Sequence, residues 1–193
     1  MKRVIGITGG IASGKSTVSQ YLLSKKFQVV DCDLLTRQSY IDRFKEIQEA
    51  FPDCIVDGAI SRPMLASRVF SNETAKQNLE KIIHPYVRHQ MKKTIHHTKN
   101  GLIFLDIPLL YEAHMEDLCD EIWVIYVSEQ QQLERLMQRN QMDEKTALMR
   151  IQAQMSIEEK RLKADYVIDN STNLVSLYQQ IEQRLEELDE YNN

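Results

Sequence analysis

The sequence predicts an α/β protein with a mostly parallel five-stranded sheet flanked by helices and interrupted once by a long helical insertion. Three observations carry that expectation. Short apolar, β-branched runs recur without helical periodicity, helical patterns lie between them, and a glycine-rich turn joins the first run to the first helix. Strands buried on both faces read as continuous apolar runs, and their alternation with helices implies right-handed βαβ crossovers.

Val4 to Thr8 is the first such run, and it stops at Gly9-Gly10; Ser16 to Lys26 then carries a helical pattern. Phe27 to Asp31 is the second run, Leu102 to Asp106 the third, Ile122 to Val127 the fourth and Tyr166 to Ile168 a weaker fifth. From about Leu34 to Asn100 the chain is mainly helical, punctuated by Pro52, Pro63, Pro85 and an Asp57-Gly58 turn. A second helical stretch, Ser128 to Lys163, carries Arg135, Arg139, Arg150, Lys160, Arg161 and Lys163. Leu174, Leu177, Ile181, Leu185 and Leu188 mark a final amphipathic helix to about Glu190. The expected division is a core of residues 1–36, 101–127 and 164–193, an insertion of residues 37–100, and residues 128–163 apart from both.

With 193 residues, 42% of them hydrophobic, the chain can bury one substantial core. A formal charge of -4 opposes general nucleic-acid binding, which draws its affinity from clustered Lys and Arg. The three cysteines, Cys32, Cys54 and Cys119, are widely spaced and form no C-x-x-C pair, so neither a disulfide framework nor a zinc site is expected. No stretch reaches the roughly 18 apolar residues of a membrane span, and no targeting segment is read at the start. A cytoplasmic protein with no membrane or nucleic-acid partner is the expectation.

Gly9, Gly10, Ile11, Ala12, Ser13, Gly14, Lys15 and Ser16 fit G-x-x-x-x-G-K-[ST] between a strand and a helix, the context that this phosphate-binding loop requires. Its glycines let successive N–H groups turn around phosphates, and the helix N-terminus adds its positive dipole end. Lys15 is placed for the β- and γ-oxygens of a nucleotide, the Ser16 hydroxyl for Mg²⁺, and Thr17 completes the loop. The N-K-x-D guanine-reading motif of GTPases does not occur. ATPases and small-molecule kinases remain.

Ligands of a parallel sheet gather beyond the carboxyl ends of its strands, where Asp31, Asp33 and Asp106 stand. A kinase needs a carboxylate for the attacking hydroxyl and others for the metal shell. Asp33 is the candidate for the first role, and otherwise it caps a helix beginning at Leu34; Asp31 and Asp106 are metal-side candidates, and Asp106 otherwise only ends a strand. Arg135 and Arg139, one helical turn apart behind a possible Ser128/Gln131 capping box, read as a lid bringing charge to the γ-phosphoryl group or as a solvated basic face. His84-Pro85 taken alone reads as a helix start.

The motifs together resemble the dephospho-coenzyme A kinase family. They run in order from Ile7 to Ser16, through Asp31-Cys32-Asp33, Arg37, Asp57-Gly58, Arg62, Leu65, Val69-Phe70, His84-Pro85, Leu105 to Glu112, Gln132 to Arg139, Gln154 and Lys160, to Ala164 to Asn170. The resemblance implies ATP-dependent phosphorylation of the ribose 3′-hydroxyl of dephospho-coenzyme A with Mg²⁺, by a monomer or weak homo-oligomer. It implies a coenzyme-A-binding role for the insertion and a lid with associated helices at 128–163. It implies catalytic roles for Asp33, Lys15 and Arg139, nucleotide contacts from Gly9 to Thr17 and from Arg139, and substrate contacts at Thr8, Asp33, Arg37, His84, Asp106 and Leu109. The rivals are a P-loop kinase for another nucleoside or metabolite and an ATP-binding module that transfers nothing. Cys32 stands where the family usually has Ala, Ala12 where it often has Gly, and the segment after Arg37 is several residues shorter than usual.

Overall fold

A computed structural model describes residues 2–99 and 101–190 in two compact units, one formed by the chain up to Val30 and from His97 onward, the other by Asp31–His96. The first unit is built on β1 (Lys2–Gly9), β2 (Gln28–Asp31), β5 (Gly101–Asp106), β6 (Glu121–Tyr126) and β7 (Tyr166–Asp169), in the sheet order β2-β5-β1-β6-β7. Each strand begins and ends within two residues of the run expected from the sequence. The pairings of β1 with β5 and β6, and of β6 with β7, are parallel, and Ile7 lies abreast of Asp106.

The two faces of β1 explain its unbroken apolar run. Ile5 and Ile7 join Phe104, Trp123, Ile125 and Ile168 under two helices, α1 (Lys15–Ser24) and α9 (Leu174–Glu190), which contribute Val18, Leu22, Leu177, Ile181, Leu185 and Leu188. Phe104 and Trp123 meet edge to face with ring centroids 5.4 Å apart. On the other face Gly6 lies under the segment that follows β5: a Cβ there would come within 2.6 Å of Cys119 Sγ and 2.8 Å of Leu110 Cδ1. At the amino-terminal end of the sheet the buried Glu121 carboxylate accepts from Arg3 at 2.8 Å, Arg184 at 2.9 Å and the Trp123 indole at 2.6 Å, so its charge is matched where it is buried.

The stretch expected as helical over 128–163 is three helices, α6 (Glu129–Asn140), α7 (Glu144–Gln152) and α8 (Ile157–Lys163), each opened by a side-chain cap. Ser128 accepts from the Gln131 N–H at 3.3 Å, but the Gln131 side chain meets the Ser128 hydroxyl at 3.4 Å and the Ser171 carbonyl at 3.0 Å rather than the Ser128 N–H, so only half of the expected capping box forms. The complete box is Ser156 with Glu159. Gln141, at φ 50°, ends α6 in the left-handed conformation.

The second unit contains α2 (Cys32–Asp42), α3 (Phe44–Ala50), α4 (Arg62–Phe70) and α5 (Glu73–His97). Asp57 and Gly58, both at positive φ, form the two-residue turn of a small hairpin, β3 (Ile55–Val56) with β4 (Ala59–Ile60), inside a stretch read as mainly helical. Helix α2 starts at Cys32, and its cap is Asp31, whose Oδ1 accepts from the N–H groups of Asp33 and Leu34 at 2.7 and 3.1 Å, so Asp33 lies in the first turn rather than at the cap. Pro85 does not open a helix but lies within α5, which runs through it on the buried stripe Leu79, Ile83, Tyr86, Val87 and Met91.

Gly6→Ala should cost about 1–3 kcal/mol by overpacking. A thermal melt should fall by about 2–12 °C, at the 2–4 °C per kcal/mol usual for this chain length.

Candidate active site

The first unit presents an anion site made of backbone. Strand β1 ends at Gly9, the chain turns through residues 10–14, and α1 begins at Lys15. A helix leaves its first N–H groups unpaired, and side-chain caps or acidic residues normally answer them. Helix α1 has neither: Gly14 stands at its cap without a side chain, and no acidic residue lies in its first turn. Unanswered N–H groups and an unopposed dipole end fit phosphate. The turn closes on itself where Ser13 N–H donates to the Gly10 carbonyl at 3.1 Å. Ala12 holds φ 61°, a left-handed conformation that a side chain adopts at a cost of roughly 1–2 kcal/mol.

The loop is braced from outside by side chains far away in sequence. Asn170, buried after β7, donates through Nδ2 to the Ser13 carbonyl at 2.8 Å. Gln154, between α7 and α8, accepts the Ile11 N–H on Oε1 at 3.0 Å. Lys160 on α8 donates to the Gly9 and Pro108 carbonyls. These three residues stand among those that carry the family resemblance, but no local pattern marks them as contacts of the loop.

Asp106, at the end of β5 and almost fully buried, accepts from Lys15 Nζ and, at 2.5 Å, from the Ser19 hydroxyl. One of three ammonium donors on Lys15 is thereby fixed by the protein, which aims a residue with many rotamers. Ser16 is exposed and Thr17 half-buried at the mouth of the loop. Among the described residues no group of three His, Cys, Asp or Glu side chains is placed to hold a metal ion. Thr8 is fully buried, and its hydroxyl donates to the Pro108 carbonyl at 3.0 Å, which makes it a brace under the loop. Leu109 is exposed.

Of the two arginines on α6, Arg135 is spent on the Asn170 carbonyl at 2.8 Å. Arg139 is exposed, and its Nε donates to Asn140 Oδ1 at 2.8 Å. In the second unit Asp33 and Arg37 are exposed on α2. His84 on α5 is half-buried in a shallow depression with Gln77, Glu80, Lys81 and Pro85, and its burial pushes the imidazole pKa below the ordinary value.

Comparison with known proteins adds a family to this geometry. The sequence model of the dephospho-CoA kinase family matches residues 3–176. A dephospho-CoA kinase of Oceanobacillus iheyensis is 47% identical over 182 residues, covering 90% of this chain and 92% of that protein. A solved structure from Thermus thermophilus superposes with a TM-score of 0.88 at 34% identity, covering 97% of this chain and 98% of the other. A dephospho-CoA kinase from Campylobacter jejuni superposes over the full length of both chains with a TM-score of 0.77 at 29% identity.

Gly14, at φ 90°, leaves no room for a Cβ, which would stand 2.2 Å from Asn170 Nδ2. Gly14→Ala should displace that brace and strain the backbone by about 1–2 kcal/mol, raising the dissociation constant for ATP about tenfold or more. Calorimetric titration with ATP measures this directly.

Proposed function

The chain belongs to the dephospho-CoA kinase family, and from that membership we infer that it transfers the γ-phosphoryl group of ATP to the ribose 3′-hydroxyl of dephospho-coenzyme A, giving coenzyme A and ADP. The observation that carries the reading is a strand-turn-helix cradle whose uncapped N–H groups and anchored Lys15 suit the polyphosphate, within a chain matched to the family from residue 3 to 176. The two rivals, another metabolite kinase and a module without transfer, find no support in that match.

Phosphoryl transfer asks a protein for positioning and for charge where the transition state develops it. The cradle from Gly9 to Thr17 holds the polyphosphate, and Lys15 neutralises β- and γ-oxygens. Arg139, exposed on α6, supplies positive charge to the transferring group as the lid within residues 128–163 closes over the nucleotide. Asp33 orients the attacking hydroxyl and accepts its proton. Thr8, Arg37, His84, Asp106 and Leu109 are the remaining substrate-side residues, with residues 37–100 as the coenzyme-A-binding portion.

Magnesium fits this donor set. Mg²⁺ is commonly held by one or two protein ligands together with phosphates and water, so an exposed Ser16 hydroxyl at the head of α1 suffices and no carboxylate cage is required. When bound, the ion would supply charge neutralisation to the polyphosphate. No described helix is long and apolar enough to cross a membrane.

Incubation with ATP and dephospho-coenzyme A should give a product carrying one added phosphate at the 3′-hydroxyl, seen by mass spectrometry and phosphorus NMR. A higher kcat/KM for shikimate, gluconate or a nucleoside would overturn the substrate assignment. Asp33→Asn preserves shape and removes basicity, so kcat should fall by roughly 10²- to 10⁴-fold while ATP affinity stays within a few-fold. Full activity in that variant would remove Asp33 from the chemistry. Arg139→Ala should lower kcat by roughly ten- to a thousandfold with most of the ATP affinity retained, and an unchanged kcat would return Arg139 to a solvated surface.

A further inference from the structure

Lys160 is a lysine with no solvent exposure. Its three ammonium donors meet three acceptors: Glu112 Oε1 at 2.9 Å, the Pro108 carbonyl at 3.1 Å and the Gly9 carbonyl at 3.4 Å. Burial pushes its pKa down against the pull of Glu112, and the charge of Lys15 pushes the same way, so the two ammonium groups feel each other across the strand ends. A buried pair of this kind is weak evidence for stability, since replacing such a pair by apolar groups is often neutral. What distinguishes this one is the identity of its acceptors. Gly9 is the last residue of β1, where the strand passes into the phosphate loop, and Pro108 lies two residues beyond Asp106 and also receives the Thr8 hydroxyl. Glu112 Oε1 in turn accepts the Met155 N–H at 2.9 Å, beside Gln154, which holds the Ile11 N–H. The second carboxylate oxygen, Glu112 Oε2, is buried without a partner, which leaves Lys160 as the counter-charge of that group.

We propose that Lys160 is a positioning residue for phosphoryl transfer. Its ammonium pins the carbonyls of Gly9 and Pro108, so that the loop bearing the backbone donors and the strand end bearing Asp106, the partner of Lys15, keep one relative position. With Glu112 and Gln154 it ties the connection between α7 and α8 to the same loop, so that the expected lid starts from a fixed base. The effect expected is catalytic because misplacement by about 1 Å is enough to cost two orders of magnitude in rate. Lys160 acts through the loop rather than on the nucleotide.

The test uses the full chain and two variants. Lys160→Met keeps the stem and removes the ammonium, leaving the partly buried Glu112 carboxylate without its counter-charge, so its melting temperature should fall. Lys160→Met with Glu112→Gln removes both charges and keeps an acceptor for the Met155 N–H, so stability should return to near the wild-type value. If Lys160 positions the loop, the double variant should still show kcat lower by about 10- to 100-fold, with KM for ATP raised no more than a few-fold because Lys15 and the loop amides remain. Rates are taken well below each melting point, so the folded fraction does not enter. A double variant with wild-type kcat, or a double variant that fails to fold, assigns Lys160 a purely structural role and overturns the proposal. The proposal rests on the kinase reading, and wild-type turnover of dephospho-coenzyme A in the same assay separates a failure of that reading from a failure of this one.

Discussion

A backbone phosphate site has to keep its N–H groups unpaired with protein and still hold them in place, and the rest of this structure depends on meeting both demands. Helix α1 meets the first by omission, with Gly14 at its cap and no acid in its first turn. A helix end so treated carries several unanswered donors, an arrangement tolerable at a wet surface and unfavourable elsewhere. The second demand falls on side chains that approach the loop from behind. Asn170 takes the Ser13 carbonyl, Gln154 takes the Ile11 N–H and Lys160 takes the Gly9 carbonyl. They engage two carbonyls and one N–H of this segment and leave the start of α1 without a side-chain cap.

The sheet supplies the frame for these braces. Strand β1 lies between β5 and β6, so the loop leaves the sheet from a central strand rather than from an edge. Its neighbour β5 ends at Asp106, and the parallel register sets that carboxylate beside the start of the loop, where it anchors Lys15. Gly6 admits the segment after β5 close against the sheet through Leu110 and Cys119. That close approach belongs to the same segment that carries Pro108 and Glu112, so packing of the core and placement of the site share one loop. The buried hydroxyl of Tyr111 in this segment has no partner, and burial pushes its pKa up to about 12, which keeps it neutral.

Much of this was legible in the sequence where the controlling interactions are local. The strand-loop-helix unit is contiguous, and parallel strands buried on both faces stand out as unbroken apolar runs. The anion site at α1 was readable for the same reason. The braces were not, because Gln154, Lys160 and Asn170 lie 143, 151 and 157 residues from their partners in the loop. Nothing near Lys160 in the chain marks it as buried; its place follows from Glu112 and two carbonyls supplied by other elements. Pro85 was misread because the local preference of proline for a first turn was overridden by a buried stripe on both sides of it in α5. The hairpin at Asp57-Gly58 was missed because strands of two residues have no periodicity to detect. The cap shifted from Asp33 to Asp31 because two acidic side chains compete for the same helix start, and only the one in extended backbone reaches the free N–H groups.

If the site is a loop made rigid before nucleotide arrives, its own amides report it. Native-state hydrogen exchange in the nucleotide-free protein resolves Ile11 and Ser13, whose N–H groups are engaged by Gln154 and by the Gly10 carbonyl. The account predicts exchange at these two amides slowed by orders of magnitude relative to a free chain, close to that of β1 itself, with faster exchange at the unpaired donors that open α1. Exchange at Ile11 and Ser13 as fast as in an unstructured peptide would contradict it, since the cradle would then be assembled by the nucleotide rather than by the fold.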